Sequence, residues 1–373
     1  MNLFVSLLLL LCLAACLVLA LYPIATLLFR KKGKVNLKTE NTFCAPVSII
    51  IACYNEEAYI GKKIASFLDS EEWIEGSELF VVSGGSTDRT NRVLEEFQHH
   101  KNVHLLIYKE RLTKIAAVNL AVAQSRNEIL VFSDCRQRMK KGSVKKLIAH
   151  FHDESIGTVS STLMDGKPGR RSSFVRSILN SIAIRQSVHG SSLNLFGALY
   201  AQRKSVYKTI PTDILFDDLF VVVSTLTQGK RLTQEKEAVI YDVYFDTYYT
   251  KERIERLTRG LLVFFFKHAA LIGRLPTDSL LRFIIYKYMK LLLPFLLVLG
   301  LFCSSYLLLP MFTPTSLPLI AAFIFVPLLF RKSREFIFLF LRVNWYFMTA
   351  TLKFLFLNQR SISWQKLQVN AIE

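Results

Sequence analysis

Val47-Ser-Ile-Ile-Ile-Ala-Cys-Tyr-Asn-Glu-Glu57, Leu79-Phe-Val-Val-Ser-Gly-Gly-Ser-Thr-Asp88 and Ile129-Leu-Val-Phe-Ser-Asp134 are the stretches that decide the fold. Each is a short apolar, β-branched run that stops abruptly at small and polar residues, the pattern of a buried strand and its turn. Val47 to Cys53, Leu79 to Val82, Val103 to Tyr108 and Ile129 to Phe132 read as strands. Glu56 to Leu68, Asp88 to Phe97 and Lys114 to Gln124 read as helices between them. Such alternation predicts an α/β domain, a mostly parallel sheet with helices on both faces. In an open sheet of this kind, ligands bind outside the carboxyl ends of the strands. The residues there are Tyr54 to Glu57, Ser83 to Asp88 and Ser133 to Arg136. Taken singly, each turn has a plainer reading, with Asn55 and Ser86 as helix N-caps and Asp134 capping a turn. Three polar turns on three strand ends converge on one crevice.

The flanks have a different composition. Leu3 to Phe29 carries no charged side chain, longer than the about 20 residues a helix needs to cross a bilayer. Arg30, Lys31, Lys32 and Lys34 follow at once, so the segment reads as a retained anchor with the chain continuing into the cytosol. Leu291 to Phe330 is again free of charge and is broken by Pro310, Pro314 and Pro318, which predicts two spans joined by a short turn. Arg331, Lys332 and Arg334 return the chain to the cytosol. Phe336 to Leu357 carries Arg342, Asn344 and Lys353, which favours an interfacial or re-entrant helix over a third span at this end. Asp165 to Arg171 reads as a flexible loop over the crevice.

With 373 residues, the chain has room for one catalytic domain and several spans. The net charge of +18 gathers beside the apolar tracts rather than in a recognition stripe, so it points to anionic lipid and away from nucleic acid. The six cysteines show no paired metal spacing, which argues against a zinc site and against disulfides.

The three opening stretches resemble the processive, membrane-bound family-two glycosyltransferases, the superfamily of cellulose and hyaluronan synthases. Lys114 with Ala116-Ala117-Val118-Asn119 is similar to the Lys-x-x-Ala-Leu-Asn helix of that family, and Gly197-Ala198-Leu199-Tyr200 to its Gly-Ala-x-Tyr acceptor-side strand. Phe216-Asp217-Asp218-Leu219 resembles the acidic element that supplies the base, and Trp364-Gln-Lys366 the Trp-Glu-Lys tail. Arg253-Ile-Glu-Arg256-Leu257 stands in the place of Gln-x-x-Arg-Trp. The resemblance implies a GT-A (Rossmann-like) fold with transmembrane helices at both ends, a nucleotide-diphosphate sugar donor and inversion at the anomeric carbon. It divides the chain into an anchor (1–30), a basic linker (31–45), a cytosolic GT-A domain (46–260), interfacial amphipathic helices (261–290), two spans (291–330) and an interfacial or re-entrant helix with a tail (331–373).

By the same resemblance, Asp218 is the catalytic base and Asp217 its orienting or acceptor-binding neighbour. Ala52, Tyr54, Glu56, Gly84, Lys114, Ser133, Asp134 and Arg256 bind the nucleotide sugar, Gly197 and Ala198 lie on the acceptor side, and Asp134 ligates a divalent metal, Mg or Mn. The expected partners are a nucleotide-diphosphate sugar, a glycan or lipid-linked acceptor, the bilayer of the inner cell membrane, and polysaccharide-synthesis proteins. Physical chemistry suits these assignments. A departing diphosphate needs positive charge, and an attacking hydroxyl needs a carboxylate to take its proton.

Read without the resemblance, Asp217 and Asp218 could equally form the charged first turn of a helix, and Arg253 to Arg259 an amphipathic surface helix. The chain also departs from the family pattern. Gly84 replaces the usual aspartate, Arg136 the second member of the Asp-x-Asp element, Arg253 the glutamine and Leu257 the tryptophan. Arg136 either supplies charge that a metal otherwise would, or marks a catalytically impaired subunit of a synthesis complex. Transfer to a polyprenyl phosphate is a further alternative.

Overall fold

The computed structural model describes residues 3, 5–10, 43–69, 72–166, 174–188, 190–242, 251–308 and 330–357. The chain divides into two compact units. One holds the described residues 43–242 with Lys267–Ser279, and the other holds Lys251–Phe266 and the described residues from Leu280 to Leu357.

The first unit is α/β. Its elements run β1 (Val47–Cys53), α1 (Ile60–Leu68), β2 (Glu78–Gly84), α2 (Thr90–Glu95), β3 (Val103–Tyr108), α3 (Lys114–Gln124), β4 (Ile129–Ser133), β5 (Arg138–Met139), α4 (Ser143–Ile148), β6 (Ile156–Asp165), α5 (Phe174–Val188), β7 (Leu199–Arg203), α6 (Asp217–Thr227) and β8 (Arg231–Asp242). The eight strands lie in the order β3-β2-β1-β4-β7-β6-β8-β5.

The expectation of a mostly parallel sheet holds for one half and fails for the other. β1, β2, β3 and β4 pair in parallel. β7 then enters antiparallel between β4 and β6, while β6 and β8 pair in parallel and β5 closes the edge antiparallel to β8. The sheet is therefore mixed. Inserting β7 against β4 brings Leu199 opposite Ser133 and Tyr200 opposite Phe132, so β7 borders the crevice directly.

The core explains why the strand runs are continuous and not alternating. Ile49, Ile51, Val81 and Val131 pack on one face with Ile60, Ile64 and Phe67 of α1 and with Val144, Leu147 and Phe151. Ile115, Val118, Ala121 and Val122 of α3 are also buried, and Ile50, Val82, Leu130 and Phe132 fill the alternate strand positions. A strand covered on both sides can be apolar at every position. Each fully buried side chain of this size contributes about 1.5–3 kcal/mol.

Two helix starts differ from the sequence reading. α1 begins at Ile60 and not Glu56, and α2 at Thr90 and not Asp88. Neither Asn55 nor Ser86 is an N-cap. Asn55 adopts a left-handed backbone (φ 52°), and its side chain accepts from Thr87 N at 2.8 Å while the Ser86 hydroxyl accepts from Asn55 N at 3.1 Å. Asp88 Oδ1 accepts from Thr90 N at 2.9 Å. These polar residues thus tie the turns after β1 and β2 to each other, a job that competes with capping their own helices.

The second unit is helical. It contains most of α7 (Lys251–Ile272, with a non-helical break at His268), then α8 (Thr277–Phe283) from Leu280 onward, a π-turn at Ile284–Tyr288, α9 (Met289–Leu308) and α10 (Arg331–Phe356). Thr277–Cys303 is the one helical stretch among the described residues that is long and apolar enough to cross a membrane. It starts earlier than the tract at Leu291 predicts. Leu292, Val298, Leu301 and Phe302 point outward from it. The amino-terminal anchor's basic flank, the proline-broken turn, the loop residues after Gly166 and the Trp364 tail lie outside the described residues.

Candidate active site

β4 ends at Ser133, and the next residue, Asp134, is fixed by its own backbone. Asp134 N donates to Ala198 O at 3.1 Å, and the buried Ser133 hydroxyl donates to the same carbonyl at 3.2 Å. Ala198 therefore supports the Asp134 turn through its main chain. Beneath the turn, Lys63 reaches from α1 to donate to Gln137 O at 2.6 Å and lies 3.4 Å from the Ser133 hydroxyl. Burial pulls the Lys63 ammonium down to about 8, against the pull of Cys135 and Asp134 in the other direction.

Lys114 opens α3, with Thr113 accepting from Ala116 N as the N-cap. Its ammonium lies 2.8 Å from Asp134 Oδ1 and 3.2 Å from Asp217 Oδ2. The three side chains are 29%, 34% and 22% exposed, so a solute can reach the cluster. Burial alone would lower the Lys114 pKa, but the Asp134 and Asp217 carboxylates outweigh it and hold the group above the ordinary lysine value. One lysine thus joins the strand end that presents Asp134 to the first turn of α6.

Asp217 and Asp218 form that first turn, as the plainer reading proposed, and the turn also lies at the site. Asp218 is half-buried and accepts from Leu219 N at 2.8 Å through Oδ1. A Cβ placed on Gly197 would sit 3.8 Å from Asp218 Cβ, in ordinary contact, so the segment leading into β7 and the acidic turn adjoin. Tyr200 on β7 is buried against Phe132, ring centroids 4.6 Å apart. Burial pushes its phenol well above the usual tyrosine value, with Asp217, Tyr207, Asp218 and Asp134 all pushing the same way. Asp134 and Asp217 share the Lys114 ammonium, and Asp218 follows Asp217 in the same helical turn. Asn119 of α3 closes the far side, accepting from Tyr207 Oη at 2.5 Å and donating to Ile210 O at 2.8 Å.

Arg136 and Glu56 pair with each other. Arg136 Nε lies 3.0 and 2.9 Å from the two Glu56 oxygens. The cation on Asp134 is consequently Lys114, while the Arg136 charge is met by the glutamate expected to touch the nucleotide. Ala52 accepts through its carbonyl from Cys135 Sγ at 3.5 Å. Tyr54, half-buried after β1, carries the Arg111 guanidinium over its ring at 3.4 Å from the centroid. Gly84 is buried at the end of β2. Arg256 belongs to the helical unit, exposed on α7.

Among the described residues no three His, Cys, Asp or Glu side chains gather in a metal-holding group. Asp134 still offers a hard oxygen donor, since Lys114 engages only Oδ1, and a hexacoordinate ion of the magnesium type commonly takes one or two carboxylates plus substrate phosphates. The donor set fits a divalent ion that the substrate itself completes.

Sequence reading missed Lys63, Arg111 and Tyr207. Lys63 had a usable signal, because it occupies the apolar stripe Ile60, Ile64, Phe67 of α1, where a lysine must have a buried acceptor. Arg111 and Tyr207 stand in loops with no periodicity to mark them.

Residues 48–210 match the family described as glycosyl transferase family 2. The chain is 25% identical over 199 residues to a poly-beta-1,6-N-acetyl-D-glucosamine synthase of Staphylococcus epidermidis, covering 50% of this chain and 47% of that protein. It is 20% identical over 181 residues to an uncharacterized glycosyltransferase of Haemophilus influenzae, covering 44% of this chain and 55% of the other. The chain thus spans about half the length of the curated relatives it matches. Among solved structures, mannosyltransferase PcManGT of Pyrobaculum calidifontis, in complex with GDP-Man and Mn2+, superposes with a TM-score of 0.72 at 19% identity, covering 96% of this chain and 99% of that one. That similarity shows the fold. Residues 48–210 thus carry the match to glycosyl transferase family 2, on a GT-A-like α/β fold.

Proposed function

We propose that the chain transfers a sugar from a nucleotide-diphosphate sugar to a glycan or lipid-linked acceptor at the cytosolic face of the membrane, with inversion at the anomeric carbon. The observation that carries this reading is the Lys114 ammonium between Asp134 and Asp217, with Asp218 next in line.

The acceptor hydroxyl oxygen forms a bond to the anomeric carbon as the bond from that carbon to the diphosphate oxygen breaks. The hydroxyl proton goes to Asp218, whose carboxylate is the base. Negative charge grows on the departing diphosphate, and the fixed ammonium of Lys114 meets it in a partly desolvated cleft, where a preset charge is worth most. Asp217 holds Lys114 from the acceptor side, so the cation is placed before the donor arrives. A divalent ion, held by Asp134 and the donor phosphates, would add Lewis-acid stabilisation of the same leaving group. Tyr200, neutral because of its burial and the surrounding carboxylates, lines the floor without adding charge.

The membrane location rests on the apolar, outward-facing surface of Thr277–Cys303 and on the basic residues beside the apolar tracts. Water in contact with that surface would cost about 25 cal/mol per Å². Lipid removes the cost. The test is to incubate the purified, detergent-solubilised protein with a panel of UDP- and GDP-sugars and follow released nucleoside diphosphate, with and without Mn2+ and a chelator. Release from a subset of donors, raised by Mn2+ and lowered by chelator, is the expected result. No release across the panel would contradict the reading and favour a non-catalytic subunit.

A further inference from the structure

β1, β2 and β3 are neighbours, so the residues that follow them, Tyr54, Gly84 and the Glu110–Leu112 loop, line one end of the strand-end crevice, and Asp134 after β4 lies on the other side of β1. At this end the chain lacks the carboxylate that the family pattern puts at position 84. The packing shows why. A Cβ on Gly84 would meet Leu112 Cβ at 2.9 Å and the Leu112 backbone at 3.2 Å, and one on Gly85 would meet the Glu110 carbonyl at 2.7 Å. The loop after β3 has moved into the room that an aspartate side chain would need.

That same loop brings in a cation. The Arg111 guanidinium carbon lies over the Tyr54 ring, 3.4 Å from its centroid, and Nη1 donates to Leu112 O at 2.7 Å and Gly84 O at 3.3 Å. Its Nε and Nη2 hydrogens find no acceptor among the described residues. They form one edge of the guanidinium, two parallel donors in a fixed plane. Stacking on Tyr54 and the two carbonyls hold that plane still.

Resting on the donor reading above, we propose that Arg111 reads the nucleobase of the donor in place of the missing carboxylate, and that the base it selects is guanine. A carboxylate accepts from a base N–H, whereas a guanidinium edge needs two adjacent acceptors. Guanine offers O6 and N7 side by side. Adenine sets a donor beside N7 and uracil flanks each carbonyl with an N–H, so each loses one of the two bonds and leaves a donor facing a donor, whereas cytosine has an adjacent acceptor pair only at N3 and O2, next to the glycosidic bond.

The test is calorimetric binding of GDP, UDP, ADP and CDP to the full-length protein in detergent, for the wild type, Arg111→Lys and Arg111→Gln. Wild type is expected to bind GDP at least about tenfold more tightly than UDP and ADP, and more tightly than CDP. Arg111→Lys, which keeps the charge without the fork, should bind nucleoside diphosphates with that preference reduced to about threefold or less, and Arg111→Gln should lose it too. Tighter binding of UDP, ADP or CDP by wild type, or an unchanged GDP preference in both variants, would overturn the assignment while leaving a nucleotide-sugar enzyme in place. Binding of no nucleoside diphosphate would overturn the donor reading together with it.

Discussion

The Lys114 ammonium sits 2.8 Å from the Asp134 carboxylate, tying the first residue of α3 to the first residue after β4. Replacing Lys114 with Met leaves Asp134 and Asp217 without their shared counter-charge and the leaving group without its cation. Turnover should fall by about 10²–10³, with Lys114→Arg recovering part of it, read as kcat in a donor-turnover assay. The folded pKa of Lys114 is raised, so its stabilising contribution is fully present below the unfolded lysine value of 10.5 and is lost only as pH rises through the folded value. Any alkaline limb in the rate profile below that pH therefore belongs to another group.

Asp217 and Asp218 should separate kinetically. Asp217 bonds Lys114, whereas Asp218 is the proposed base. Asp217→Asn is expected to reduce kcat by about tenfold, the scale of a lost supporting contact of roughly 1.4 kcal/mol. Asp218→Asn should cost orders of magnitude more. Equal losses in the two variants would assign the base to neither residue alone.

Restoring the family's aspartate at position 84 should harm the protein. Gly84→Asp drives a side chain into Leu112, and overpacking of this kind costs about 1–3 kcal/mol. A lower melting temperature and weaker nucleotide binding are expected, checked by thermal unfolding with and without GDP. A gain in either property would show that the loop after β3 yields.

Lys63 gives a pH-dependent signature. Its folded pKa, about 8, lies below the unfolded 10.5, so between those values the unfolded chain binds the extra proton and stability rises with pH. Below about pH 8 the full cost of the buried ammonium is present. Relative to Lys63→Met, the wild type should gain up to about 3 kcal/mol between pH 8 and 10.5, measured by denaturant unfolding at a series of pH values. Lys63→Met should also lower turnover, because Gln137 O and the Asp134 turn lose their support.

Parts of this fold were legible because local signals and tertiary demands agree. Val47–Cys53, Val103–Tyr108 and Lys114–Gln124 begin and end where the apolar runs and the polar stretches between them indicate. β6 and β8 gave no such signal. They bury Thr158, Ser160 and Thr162 inside the sheet, where side-chain hydrogen bonds satisfy hydroxyls that look solvent-facing in a sequence. The antiparallel insertion of β7 was illegible for another reason, since pairing partners are set by packing across many residues and not by the strand's own composition. At the site, Asp134, Lys114 and Asp217 were found by motif and do converge. The Arg136–Glu56 pair was not foreseen, because each residue was weighed against the ligand and not against the other.

The central claim is that Asp134 and Asp218 serve one reaction centre from opposite sides. The most direct measurement is the rate of nucleoside diphosphate release by purified Asp134→Asn and Asp218→Asn, each checked for a wild-type melting temperature, using the donor that the wild type turns over. A fall of about 10²–10⁴ in both folded variants is predicted. Wild-type turnover in either one would contradict the account.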